Sequence, residues 1–299
     1  MSVLKTKNLT KYYGKERGIV DVSISIEKGE IFGFIGPNGA GKSTTIRTIL
    51  GLLKASGGSI ELFEQDATLK GPQLREKIGY LPSEVYYYDN LKAKELLMYS
   101  ASFYPIKKTA ALAKMQNLAD KLQLDLNKKI DSLSFGNKKK VGVIQSLIHS
   151  PELIILDEPT SGLDPLMQQQ FYEILKEEND RGASIMLSSH NLPEIQKMSD
   201  RVGIIREGKI IKVDTVDKLI GNNYKKVNLE LQKPNQKLPS NSQKGITNVE
   251  TKDNLNCSFM WNGPINDLNK LLATLDLKNL SIEEPDLEEV FLHYYKEDR

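Results

Sequence analysis

Eight consecutive residues, Gly36-Pro37-Asn38-Gly39-Ala40-Gly41-Lys42-Ser43, have the make-up of a loop that holds phosphate. Glycines let backbone N–H groups curl around anionic oxygens, and a helix starting there would add the positive end of its dipole. In this pattern Gly36, Asn38, Gly39, Ala40, Gly41, Lys42, Ser43 and Thr44 are the candidate residues for a nucleoside triphosphate. Lys42 would reach the β- and γ-phosphates and Ser43 would ligate Mg2+. Far downstream, Leu153-Ile154-Ile155-Leu156-Asp157-Glu158 is an apolar run ending in two carboxylates. Asp157 is expected to hold Mg2+ through water, and Glu158 to polarise an attacking water as general base.

These groups need elements that bring them together. Ile31-Phe32-Gly33-Phe34-Ile35 reads as a buried strand ahead of the glycine loop, and Thr44 to Lys54 as a helix with Ile46, Ile49, Leu50 and Leu53 on one face. Leu153 to Leu156 and Ser184 to Ser188 read as strands joined by a helix from about Pro165 to Asp180, the rhythm of a parallel sheet with crossover helices. Such sheets collect ligands at the C-terminal ends of their strands, where Asp157 and Glu158 would lie. Val202 to Ile205 is expected to be the last core strand, with Glu207-Gly208 turning into another at Lys209 to Val213. Leu4 to Leu9 and Val20 to Ile26 alternate around the turn residues Tyr13, Gly14 and Lys15, as an antiparallel pair does. A helical insertion is placed at about residues 84–145, with a break at Pro105.

Between the two phosphate-site motifs lies Leu133-Ser134-Phe135-Gly136-Asn137, followed by the basic run Lys138, Lys139 and Lys140. This segment resembles the signature of the ABC ATPase family, usually written LSGGQ, with Phe135 in place of a glycine and Asn137 in place of the glutamine. On its own it would read as a capped helix start with solvated lysines. Ser161-Gly162-Leu163-Asp164 is similar to the family's D-loop, and Ser188-Ser189-His190 to its switch histidine. Tyr13 resembles the aromatic that stacks on adenine, although the neighbouring Tyr12 could take that part. The family's Q-loop glutamine should follow Ile78-Gly79-Tyr80-Leu81-Pro82, where this chain has Ser83 and Glu84. Either Ser83 acts through a water or Glu84 substitutes. By resemblance, the adjacent Tyr86, Tyr87 and Tyr88 face the membrane subunit; packing within the helical insertion is the equal alternative.

The resemblance covers roughly Val3 to Lys218. It implies an α/β P-loop NTPase (RecA-like) cassette with an antiparallel β subdomain and a helical subdomain. It also implies ATP and Mg2+ as cofactors, with His190 touching the γ-phosphate. Ser134, Gly136 and Asn137 of one chain would complete the nucleotide site of another, with Ser161 and Asp164 bridging the two. The implied assembly is a homodimer, or a heterodimer with a related ATPase, on a transmembrane permease that holds it to the inner face of the cell membrane.

Composition bounds the alternatives. The chain has 299 residues, 41 basic and 39 acidic, for a net charge of +2, which gives no field to recruit nucleic acid. No nucleic-acid partner is expected, and a soluble ABC ATPase of ribosomes or DNA is the alternative class. Cys257 is the single cysteine, so an internal disulfide is excluded. No run of about 18 apolar residues suggests a membrane helix, and the expected location is cytoplasmic. The cassette is expected over residues 1–222 and a small α+β domain over 223–299, after a composition shift to Pro, Gln, Ser, Asn and Lys. Strands are expected at Val227–Leu231, Ile246–Glu250, Cys257–Trp261 and Leu280–Glu283, with a helix at Ile265–Leu275. A last helix is expected after Asp286, with Leu287, Val290, Phe291 and Tyr294 on one face and His293 structural. The segment from Glu284 to Tyr295 resembles the C-termini of bacterial drug and peptide exporter ATPases, so export is the expected direction.

Overall fold

The computed structural model describes residues 1–220, 224–233, 239–240, 243–251 and 253–283. The helix expected after Asp286 lies outside the described residues. Two compact units are present, Met1–Val213 and Asp214–Arg299. The division falls earlier than the 222/223 boundary expected from composition, because composition marks where exposed loop residues begin and not where a segment changes packing partners.

The strands, in chain order, are β1 (Ser2–Tyr13), β2 (Glu16–Val22), β3 (Ser25–Glu27), β4 (Ile31–Ile35), β5 (Gly57–Leu62), β6 (Gln65–Asp66), β7 (Ile78–Leu81), β8 (Leu153–Asp157), β9 (Ser184–Ser189), β10 (Arg201–Arg206), β11 (Lys209–Thr215), β12 (Tyr224–Leu231), β13 (Ile246–Thr251), β14 (Asn256–Asn262) and β15 (Leu277–Glu283). The helices are α1 (Lys42–Ile49), α2 (Ala67–Arg75), α3 (Ala93–Ala101), α4 (Lys108–Lys121), α5 (Phe135–Leu147), α6 (Pro165–Asp180), α7 (Leu192–Met198), α8 (Val216–Ile220) and α9 (Ile265–Leu272).

In the first unit, β1 pairs antiparallel with β2, β3 and β5 in one sheet, and a second sheet runs β11-β10-β4-β9-β8-β7. From β7 through β8, β9 and β4 to β10 every pairing is parallel. Strand β8 is fully buried on both faces, as a strand between two layers must be, which is why it reads as an uninterrupted apolar run. Phe32, Phe34, Ile46, Ile49, Leu153, Ile155, Met186 and Ile205 share one core with the antiparallel sheet. The helical segment consists of α3, α4 and α5, and α3 ends short of Pro105 as proline geometry requires.

Helix α1 is shorter than its apolar pattern suggests. Gly51 adopts φ +70° just beyond it, and the N–H groups of Leu52 and Leu53 turn back to the Arg47 carbonyl, which closes the helix before Lys54.

In the second unit the sheet order is β13-β14-β12-β15, with every pairing antiparallel. Val227, Leu229, Ile246, Phe259, Trp261, Leu268 and Leu272 form its core, and Cys257 is a buried free thiol among them. The Trp261 indole N–H donates to the Gly263 carbonyl at 2.9 Å, so the ring serves the core of this unit.

Candidate active site

Sheet register assembles the site. Asp157 at the end of β8 lies level with Ser188 of β9, and Ser188 and Ser189 lie level with Phe34 and Ile35 of β4. The residues that follow each strand therefore emerge side by side at one edge: Gly36 after β4, Glu158 after β8 and His190 after β9.

After β4 the chain makes a tight loop. A Cβ on Gly36 would come within 2.4 Å of the Ile205 carbonyl oxygen, and Gly41 adopts φ +110°, so both positions require glycine. The loop closes through the Ala40 N–H to Pro37 carbonyl bond at 3.1 Å. Lys42 is buried at the start of α1, where its Nζ donates to the carbonyls of Gly36 at 2.7 Å and Pro37 at 3.3 Å.

Glu158 stands opposite. Its Oε1 lies 3.2 Å from Lys42 Nζ, as an ion pair without the alignment of a hydrogen bond. Its Oε2 is 2.7 Å from His190 Nδ1. Glu158 adopts φ +51°, a left-handed conformation that costs a non-glycine residue about 1 kcal/mol or more. The backbone turn aims the carboxylate back over the glycine loop, and the Glu158 N–H to Ser188 carbonyl bond at 3.0 Å holds that turn.

Asp157 is fully buried, and its Oδ1 accepts from the Ser188 hydroxyl at 2.7 Å. Its Oδ2 is a buried acceptor with no hydrogen-bond partner, so the site has one carboxylate oxygen available to a hard cation. Among the described residues no group of three or more His, Cys, Asp or Glu forms a metal cage. The oxygen set of Asp157 and Ser43 fits an ion that draws its remaining ligands from phosphate and water, as Mg2+ does.

A cleft of about 380 Å3 runs in front of these groups, lined by Tyr13, Arg17, Gly18, Pro37, Asn38, Gly39, Gly41, Lys42, Ser43, Thr44, Ser83 and Glu158. Gly36, Ala40, Asp157 and His190 do not line it, and His190 is joined to it through Glu158. Of the two adjacent tyrosines, Tyr13 lines the cleft and Tyr12 does not; the Tyr13 hydroxyl is 3.4 Å from Thr44 Oγ1. Of the two residues at the Q-loop position, Ser83 lines the cleft. Glu84 does not: it is exposed and accepts from the Tyr86 hydroxyl at 2.7 Å, so of the two candidates for the missing glutamine only Ser83 faces the cleft. Arg17, on β2 opposite the loop, was not legible beforehand.

The signature and D-loop segments sit apart from the cleft. Ser134 caps α5 by accepting the Asn137 N–H at 3.4 Å, and Asp164 caps α6 by accepting the Met167 N–H at 3.0 Å. The two meet where the Phe135 ring covers Gly162: a Cβ there would lie 2.3 Å from the ring. Ser161 and Ser134 are exposed.

Two buried ionisable side chains support the site and were missed in the sequence. Glu194 of α7 accepts from Ser189 Oγ at 2.6 Å and Thr160 Oγ1 at 3.1 Å, next to His190 and two residues after Glu158. Burial pushes its carboxyl above the usual range, and hydrogen bonds from Ser189, Thr160 and Tyr172 pull it back. Lys139, the middle lysine of the basic run, is fully buried and donates to the carbonyls of Pro82 and Ser83. Burial lowers its ammonium to about 8, against the opposing pull of Asp157 and Glu158.

The ABC transporter family model matches residues 19–161. The bacitracin transport ATP-binding protein BcrA of Bacillus licheniformis is 34% identical over 299 residues, covering 97% of this chain and 96% of that protein. This chain belongs to the ABC transporter ATP-binding family. The linearmycin resistance ATP-binding protein LnrL of Bacillus subtilis (strain 168) is 35% identical over 219 residues, covering 71% of this ABC ATPase and 69% of LnrL. A solved ATP-binding subunit of an ABC transporter superposes with a TM-score of 0.69 at 30% identity, over 73% of this chain and 91% of that one. A nucleotide-free cassette does so with a TM-score of 0.64 at 26% identity, over 73% of this chain and 93% of that one. As a member of this family the ABC ATPase binds ATP and hydrolyses it to power transport. Among its described residues no helix is long and apolar enough to cross a membrane.

Proposed function

We propose that this ABC ATPase powers export of a drug or of an antimicrobial or other amphipathic peptide through a separate membrane permease, and that two cassettes close on ATP to do so. The observation that carries the reading is the line Lys42–Glu158–His190 across the cleft, together with end-to-end similarity to a bacitracin transport protein.

Each residue then has a task. Gly36, Asn38, Gly39, Ala40, Gly41 and Thr44 cradle the phosphates, Lys42 neutralises the β- and γ-phosphate charge, and Tyr13 stacks on adenine. Ser43, and Asp157 through water, would hold Mg2+, which would supply charge neutralisation at the phosphates. Glu158 takes a proton from the attacking water as the water oxygen bonds to the γ-phosphorus, and the bond from that phosphorus to the β-phosphate oxygen breaks with its electron pair leaving on ADP. His190 holds the Glu158 carboxylate and meets the γ-phosphate. Ser83 reaches the site through a water. Ser134, Gly136 and Asn137 cover the second subunit's ATP, with Ser161 and Asp164 between the two sites.

The permease side is the aromatic groove of about 750 Å3 beside the Q-loop, where Tyr86, Tyr88, Tyr99 and Phe103 are exposed and Tyr87 is turned inward. An apolar helix of the permease suits such a surface. Through it the protein is held peripherally at the inner face of the cell membrane. The test is affinity purification of tagged Glu158→Gln protein from detergent-solubilised membranes with ATP. A stoichiometric integral membrane protein is expected. Recovery of ribosomal or DNA-bound partners alone would overturn the transport reading.

A further inference from the structure

The chain lacks the glutamine expected after Pro82, yet Ser83 is held against the nucleotide cleft. The support comes from α5. Lys139 Nζ donates to the Pro82 carbonyl at 3.1 Å and the Ser83 carbonyl at 2.9 Å, so two successive peptide groups are pinned by one ammonium. The reach is fixed because α5 lies directly on β7. A Cβ on Gly79 would come within 2.0 Å of the Ser146 carbonyl oxygen, and one on Gly142 within 2.7 Å of Leu81 Cδ1.

An ammonium placed here is expensive. A fully buried cation loses its hydration, and an apolar side chain of similar length would pack at lower cost unless the charge is matched. Here it is matched by two carbonyl dipoles and by the fields of Asp157 and Glu158. Five residues before Lys139, the same α5 is capped by Ser134 of the signature. One rigid helix thus carries the signature at its N-terminus and, just over a turn later, the group that fixes Ser83.

We propose that Lys139 is a positioning residue that ties the Pro82–Ser83 segment to the signature helix and so couples the two ATP sites of the dimer. This inference rests on the dimer reading above. Movement of Ser134 against the second subunit's nucleotide pulls on α5, and the ammonium transmits that pull to the wall of the chain's own cleft.

The experiment measures ATPase rate against ATP concentration for wild type, Lys139→Met and Lys139→Gln, with nucleotide affinity measured separately by equilibrium binding. Wild type is expected to be cooperative. Lys139→Met is expected to lose that cooperativity and to fall in kcat by about tenfold, the size of coupling one buried residue can carry, with ATP affinity unchanged. Lys139→Gln keeps an N–H donor and is expected to recover part of the cooperativity, which separates positioning from a general loss of packing. Unchanged cooperativity and kcat in Lys139→Met would overturn the proposal, as would equal loss in both variants. Light scattering of Glu158→Gln protein with ATP separates the two readings. No dimer there removes the dimer reading and this coupling with it, whereas a dimer combined with a wild-type Lys139→Met removes the coupling alone.

Discussion

Glu158 Oε1 and Lys42 Nζ face each other at 3.2 Å across the phosphate cleft, and the same carboxylate reaches His190 with its other oxygen. The lysine proposed to meet phosphate and the carboxylate proposed to meet water are thus each other's partner. A phosphate oxygen that takes Lys42 does so in competition with Glu158, and it frees that carboxylate as it binds.

Lys42→Ala should weaken ATP binding by tenfold or more, since a charge-assisted hydrogen bond is worth about 1.5–3 kcal/mol. It also leaves Glu158 with its other neighbour, His190, alone. Titration with a fluorescent nucleotide reads the change, and an affinity within about twofold of wild type would contradict the role given to Lys42.

The cleft wall separates the two adjacent tyrosines. Tyr13→Ala should raise the KM for ATP by the loss of a base–aromatic stack, about 1–3 kcal/mol, while Tyr12→Ala should leave it unchanged. Tyr13→Phe keeps the ring and should behave as wild type. Equal effects of Tyr13→Ala and Tyr12→Ala on KM would contradict the assignment.

Glu194 gathers hydroxyls from the two segments that carry Glu158 and His190. Glu194→Ala strands buried donors, each at about 1–3 kcal/mol, so the thermal midpoint should fall along with kcat. Glu194→Gln retains an acceptor oxygen and should recover most of both. A thermal melt and an ATPase assay on the same samples decide it, and a Glu194→Ala protein with wild-type kcat would contradict a positioning role.

His149 gives the cassette a pH-dependent stability. Its ring stacks on Tyr104 with centroids 3.7 Å apart, and its Nε2–H donates to the Ile78 carbonyl at 3.1 Å. Burial pushes its imidazole from 6.5 down to about 4, so between those two values the unfolded chain binds more protons than the folded one. Stability therefore falls as pH falls through this window, by on the order of 3 kcal/mol at its lower end. His149→Phe keeps the stack and should flatten the melting temperature between about pH 7 and pH 5 relative to wild type. An identical pH profile in the two proteins would contradict this origin.

What could be read beforehand was what pattern and spacing encode. The glycine loop after Ile31–Ile35 and the carboxylates after Leu153–Leu156 were legible because a strand buried on both faces reads as an apolar run with its chemistry at the end. The strand Gly57–Leu62 was not, since its two glycines and short alternation resemble a loop. Lys139 was hidden inside a basic run that pattern alone assigns to solvent, and only the approach of α5 to β7 buries it. Glu194 was hidden for the same reason: an acidic residue early in a short helix reads as a solvated first turn, and its partners come from distant segments. Phe135, where a glycine was expected, found its explanation in the bare surface of Gly162 beneath it.

The most direct test of the account is the fate of ATP on purified Glu158→Gln protein in the presence of Mg2+. The substitution keeps the size and the phosphate contacts and removes the base. The account predicts turnover reduced by about 10²-fold or more, with intact ATP recovered from the protein after it is separated from free nucleotide. Release of ADP at the wild-type rate would contradict it.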